Sequence, residues 1–182
     1  MPLTADILAQ PSFDAAIRTA VAGVKAMKPT YDWVGVYLLE GDPSAGSGQG
    51  VLTLRDEHYL GAPTSHIRIP LESGICGAAA RSRETIMVDD VRRDSRYISC
   101  CLSVQSEIVV PIQAGERVVG VLDLDSDTPA AFGEADRREL EQVAGALARA
   151  WQEMPREQPA ERSTPLSGLW PRDNHQADGR FK

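Results

Sequence analysis

The chain has 182 residues, 42% hydrophobic and 25% charged, with a formal net charge of −7, the balance of one ordinary globular domain with a real core. The acid excess argues against nucleic acid or an anionic membrane as the main partner, since both demand basic surface. No run approaches the ~18 apolar residues of a membrane span, and no basic-then-apolar leader opens the chain, so the expected compartment is the cytoplasm.

In chain order, Phe13 to Met27 places Phe13, Ala16, Ile17, Ala20, Val21 and Val24 at helical spacing, which predicts an amphipathic helix. Trp33 to Leu39 is short, apolar and rich in aromatic and β-branched residues, a strand pattern. The stretch Gly41 to Gly50 reads as a widened turn before a partner strand at Val51 to Leu54. Ser65 to Ile69 is the next strand, Gly74 to Ser82 a short helix, and Thr85 to Val88 another strand. Ser106 to Ile112 and Arg117 to Leu124 flank the polar turn Gln113 to Glu116 and form a hairpin. Glu134 to Trp151 is a helix with Leu140, Val143, Ala144, Leu147 and Trp151 on one face, and Glu134 and Asp136 in the first turn suit the helix dipole.

From Pro155 onward, Pro155, Pro159, Pro165 and Pro171 interrupt any helix and apolar residues thin out. The expected organisation is one domain over residues 1–154 and a disordered, Pro-rich tail over 155–182. Trp170 and Phe181 are candidates for a docking patch, against the expected reading of an inert tail. Hairpins dominate over βαβ crossovers, so the fold class is α+β: a mainly antiparallel sheet with helices packed on one face.

The run Arg117 to Ser126 (RVVGVLDLDS) carries the densest chemistry. Strand alternation puts Asp123 and Asp125 on one face with Val121 and Val119, and Leu122 and Leu124 on the other. Two carboxylates so close resist joint desolvation, so in a pocket one retains a proton as an acid while the other binds a cation. At the end of a strand they simply meet solvent. Glu107 opens its strand and either lines a cleft or is an ordinary exposed end.

The cysteines number three: Cys76, Cys100 and Cys101. An odd count makes a poor disulfide framework, and with no CxxC pair or Cys/His zinc spacing, neither metal nor cofactor is expected. Cys100 lies in a loop downstream of Arg92, Arg93 and Arg96, which lower a thiol's pKa if they stand near it. Cys76 opens the short helix, where the N-terminus favours a thiolate; the alternative is a small residue packed beneath the sheet. Trp33 and Tyr37 share a strand face, either as core or as an aromatic wall for a small zwitterion.

Taken together, GICGAAA (Gly74 to Ala80), VDDV (Val88 to Val91), YISCCLSVQSEIVVPI (Tyr97 to Ile112) and GVLDLDS (Gly120 to Ser126) resemble the free methionine-(R)-sulfoxide reductase branch of GAF domains. The resemblance spans roughly Phe13 to Trp151. It implies a six-stranded antiparallel sheet with helices behind and a ligand pocket in front, and reduction of the free amino acid rather than of protein-bound residues. It places the catalytic cysteine on Cys100, the resolving thiol on Cys76, the acidic pocket residues on Glu107, Asp123 and Asp125, and the aromatic ones on Trp33 and Tyr37. Cys101 is an auxiliary thiol.

In that scheme a Cys100 thiolate attacks the sulfoxide sulfur while a carboxylic acid protonates the oxygen. Methionine departs, Cys100 becomes a sulfenic acid, and Cys76 or Cys101 condenses with it. A thioredoxin-type dithiol restores the thiols. A homodimer through the terminal helices is expected on the same resemblance. Three positions depart from the family pattern: His66 stands for a cysteine before the RIP segment, Cys101 for an Asp, and Tyr97 for a His. The alternative is a GAF module that senses a small ligand or redox state without catalysis.

Overall fold

Helix α2 (Phe13–Lys25) begins where the Ser12 side chain accepts the Ala15 amide at 3.2 Å, a Ser N-cap satisfying one of the helix's orphan donors. Its buried stripe is Phe13, Ala16, Ile17, Ala20, Val21 and Val24, as the periodicity predicts, with Asp14 buried beside it. The computed structural model describes residues 2–41, 50–98 and 102–156. The expectations for the turn at 42–49, for Cys100 and Cys101, and for Trp170 and Phe181 in the tail lie outside the described residues.

The strands are β1 (Trp33–Glu40), β2 (Val51–Thr53), β3 (Tyr59–Leu60), β4 (Arg68–Pro70), β5 (Ile86–Val88), β6 (Ser106–Ala114) and β7 (Arg117–Ser126). All pair antiparallel in one sheet of order β4-β2-β1-β7-β6-β5, with β3 adding to β1. The α+β, antiparallel reading holds. Among the described residues the sheet has seven strands rather than six, because the two residues of β3 pair with Val34 and Gly35, a run too short to leave a periodic signal. Helix α1 (Pro2–Leu8) was not expected either; at 7 residues its helicity depends on packing against α2 and α4 (Glu134–Glu153) rather than on intrinsic propensity.

Helices α1, α2 and α4 (Glu134–Glu153) cover one face, over Val34, Val36, Ile108, Val110, Leu122 and Leu124. The other face carries Leu52, Ile69, Val109 and Val121, on which α3 (Gly74–Ser82) sits through Ile75, Cys76 and Ala79. One helix thus lies on the pocket side, because its apolar stripe matches that face. Fully buried side chains such as Ile108, Leu122, Leu124, Leu140 and Leu147 contribute about 1.5–3 kcal/mol each. That reserve allows the sheet to carry buried charge elsewhere.

One alternation breaks. Gln113 pairs with Val118 but Ile112 pairs with Gly120, so Val119 is an extra residue in β7. This bulge puts Val119 in the helix-side core and Val118 on the opposite face, where simple alternation would place them the other way. From Val121 onward the expected phase is kept.

The body extends slightly past residue 154. The Pro155 carbonyl accepts the Phe13 amide at 3.0 Å, and the Arg156 guanidinium lies 4.3 Å from the Trp151 ring centroid. Among the described residues no helix is long and apolar enough to cross a membrane.

Candidate active site

The three central strands bring the singled-out acids and aromatics onto one face. Trp33 pairs with Asp125, and Asp125 with Glu107; Gly35 pairs with Asp123, and Asp123 with Val109. Side chains of directly paired residues stand about 5 Å apart, so Trp33, Asp125 and Glu107 form one row and Asp123 begins the next. Tyr37 follows on β1, and its ring lies 6.2 Å from that of Trp33.

Gly35 makes this arrangement possible. A Cβ there would lie 2.2 Å from the Trp33 ring, so the bare backbone lets the indole lie along the sheet. The indole is fixed from its far side by Tyr59, stacked at 5.5 Å, and by the Ala62 carbonyl, which accepts its N–H at 3.2 Å. The segment after β3 is thereby tied to the pocket wall.

Cys76 enters from α3. Gly74 starts that helix with φ of +74°, a left-handed value that glycine adopts without strain. The Arg81 guanidinium bonds the Leu71 carbonyl, holding the helix against the turn that follows β4. The Cys76 Sγ and carboxylate oxygens of Glu107 and Asp123 then lie within 4.8 Å of one another.

These residues surround a cavity of about 450 Å³, mouth included, completed by Thr64, His66, Ile69, Ile75, Tyr97 and Ile98. Every described residue of the expected site lines it: Trp33, Tyr37, Cys76, Glu107, Asp123 and Asp125. The strand-end reading of the acids is set aside, since Glu107, Asp123 and Asp125 are each only 6% exposed. Cys100 and Cys101 lie outside the described residues; Ile98, two positions before Cys100, is on the cavity wall.

Burial dominates the electrostatics. It pushes the Glu107 carboxyl well above the usual carboxylate range, helped by Asp123, Asp125 and Asp94 and opposed by Arg96. It pushes Asp123 up to about 7, against a hydrogen bond from Cys76. The Asp123 Oδ1 is buried without a hydrogen-bond partner. Cys76 is raised well above the ordinary thiol value by burial, then by the charges of Asp123 and Glu107. The helix N-terminus therefore does not make Cys76 a standing thiolate: desolvation and three acids outweigh the dipole. Burial in this cavity thus favours the protonated carboxyl and the neutral thiol over their charged forms.

Two of the arginines upstream of Cys100 are already engaged. Arg96 pairs with Asp94 at 2.6 Å, and Arg92 bonds Asp90 at 3.3 Å and Gln105 at 3.0 Å. The wall residues Thr64, Ile69, Ile75 and Ile98 were not foreseen. His66 and Tyr97 had stood out only as departures from a family pattern, which was the available signal that they face the site.

The GAF domain family model matches residues 10–152. The free methionine-R-sulfoxide reductase of Escherichia coli is 30% identical over 137 residues, covering 75% of this chain and 76% of that protein. The solved structure of the type II free methionine-R-sulfoxide reductase from Thermoplasma acidophilum superposes with a TM-score of 0.68 at 32% identity, covering 85% of this chain and 98% of that one. The Neisseria meningitidis free methionine-R-sulfoxide reductase, solved in complex with its substrate, gives a TM-score of 0.72 at 30% identity, covering 82% and 84%.

Proposed function

The chain belongs to the GAF-domain family, in its free methionine-R-sulfoxide reductase branch, and on that premise we propose that it reduces free methionine-(R)-sulfoxide through Cys100, Cys76 and a buried acid cluster. The observation that carries this reading is the convergence of Glu107, Asp123 and Asp125 with the Cys76 thiol and the Trp33–Tyr37 wall around one small cavity. Cys100 follows the wall residue Ile98 by two positions, and two peptide units span at most about 7 Å.

The Cys100 sulfur attacks the sulfoxide sulfur, and a protonated carboxyl donates to the oxygen as the S–O bond weakens. Glu107 and Asp123 suit that role, since burial raises both carboxyls, Asp123 to about 7, and so favours their protonated forms. Methionine leaves and the oxygen passes to Cys100 as a sulfenic acid. The Cys76 sulfur then attacks Cys100, water departs and a disulfide closes. Asp123, hydrogen-bonded to the Cys76 thiol, relays the thiol proton to the departing oxygen, which leaves as water. The sum is one sulfoxide and two thiols to methionine, disulfide and water.

The remaining carboxylate, Asp125, holds the substrate ammonium, and Trp33 with Tyr37 packs the apolar part. A thioredoxin-type dithiol returns the disulfide to thiols.

The test incubates the reduced protein with each methionine sulfoxide epimer and dithiothreitol and assays methionine. Turnover of free methionine-(R)-sulfoxide alone, abolished in Cys100→Ser, is expected. Cys76→Ser allows one stoichiometric turnover and no recycling by thioredoxin. Equal turnover of both epimers, or full activity in Cys100→Ser, refutes the reading.

A further inference from the structure

We propose that the reduced protein also binds a thiophilic divalent cation of the zinc type, held by Cys76, Glu107 and Asp123. The three donors come from α3, β6 and β7, so tertiary packing rather than a sequence motif assembles the set. This is why no metal spacing is visible in the chain. All three residues are buried, with donor atoms within 4.8 Å of one another. Zinc–sulfur and zinc–oxygen bonds put neighbouring tetrahedral donors roughly 3.3–3.6 Å apart, so modest side-chain rotation closes the set around an ion.

A second observation points to the same occupant. The Asp123 Oδ1 is buried and accepts no hydrogen bond. A buried, unpartnered carboxylate oxygen is costly and calls for a compensating group. Two carboxyls and a thiol facing one another repel when ionised, and a cation relieves that repulsion while accepting all three as ligands. The sulfur selects against magnesium and calcium, which prefer oxygen alone. Only three protein donors are supplied, and the fourth position opens on the cavity. The open fourth position leaves the ion exchangeable.

The consequence for activity rests on the function proposed above. The ion sequesters the resolving sulfur and the proton donors, so zinc and methionine sulfoxide compete for one seat. The binding itself needs no reductase activity.

The test titrates the full, pre-reduced, metal-free chain with Co²⁺ and then Zn²⁺. The expected result is one equivalent of Co²⁺ with a sulfur-to-cobalt charge-transfer band in the near ultraviolet, displaced by Zn²⁺. That band persists in the Cys100→Ser/Cys101→Ser double variant and disappears in Cys76→Ser. Asp123→Asn, close to isosteric, weakens binding at least tenfold while its thermal melt reports an intact fold. A band lost in the double variant but kept in Cys76→Ser overturns the proposal, as does Asp123→Asn binding with unchanged affinity. In the Cys100→Ser/Cys101→Ser variant, which cannot oxidise Cys76 by turnover, saturating free methionine-(R)-sulfoxide weakens Zn²⁺ binding at least tenfold if both share the carboxyls. Unchanged affinity there sinks the shared seat while the ion site stands.

Discussion

Glu107 and Asp125 stand directly opposite one another on β6 and β7, both buried on the pocket face of the sheet. Like charges in that position destabilise a sheet, and burial compounds the cost. Nothing about the fold requires them, so the pair is a cost accepted for the site. Glu107→Gln is expected to stabilise the protein by about 1 kcal/mol, a rise of roughly 2–4 °C in Tm for a chain of this size. On the proposed mechanism the same change lowers turnover at least ~100-fold, because position 107 then no longer donates a proton. Thermal melts and methionine release check both, and a lower Tm or unchanged turnover contradicts the account.

Gly35→Ala tests the seat of the indole. The new methyl would lie 2.2 Å from the Trp33 ring, and ring and backbone have little room to yield. A loss of about 1–3 kcal/mol in denaturant unfolding is expected. Because the wall moves and the acids do not, KM should rise about tenfold or more, with kcat changed far less. The reverse split would place Trp33 in the chemistry itself.

Asp136 separates stability from the site. Its carboxylate caps α4 through the Gly133 amide at 2.9 Å, takes the Tyr31 hydroxyl at 2.5 Å and pairs with Lys28. Burial would raise this carboxyl, but those donors win and hold it below the usual range. Asp136→Ala should cost about 2–4 kcal/mol, the loss of a cap and of two partners left without an acceptor. Turnover at 25 °C should be unchanged, because Asp136 packs with the helices on the far side of the sheet. A large fall in kcat with little loss of stability would contradict this.

His58 gives a pH dependence of known sign. It is fully buried, with Nε2 3.2 Å from Asp14 Oδ1, the oxygen that Arg55 also engages at 2.7 Å. Burial lowers its pKa from 6.5 despite the Asp14 and Glu57 charges, and Arg55 lowers it further. The folded protein therefore takes up this proton less readily than the unfolded chain. The stabilisation is complete above pH 6.5 and is lost as the pH falls through the lowered folded value. Denaturant midpoints from pH 7.5 to 5 should fall more steeply for the wild type than for His58→Gln. Parallel lines would remove His58 from the account.

The long elements were legible because their periods survive in the chain. The stripe of α2 and the paired strands β6 and β7 could be read directly. What escaped was short or non-local: α1, held by α2 and α4; β3, two residues borrowed by Val34 and Gly35; and the bulge at Val119. The site was legible unevenly. Alternation alone put Asp123 and Asp125 on one face, but could not say whether that face met water. Trp33, Glu107 and Cys76 come together only through pairing across distant segments, and the family resemblance supplied that step. Thr64 and Ile98 gave no signal, because wall residues share no pattern of their own.

The register of the central strands has a further consequence. In β1, in β6 up to Ile112 and in β7 beyond the bulge, the helix-side residues are even-numbered, among them Val34, Val36, Ile108, Val110, Leu122 and Leu124. The cavity-side residues, Trp33, Tyr37, Glu107, Asp123 and Asp125, are odd-numbered. A combinatorial library varied only at Trp33, Tyr37, Glu107, Asp123 and Asp125 would rewrite what the cavity accepts and leave the helix-side core untouched. The same diversity at even positions would yield mostly chains that never fold.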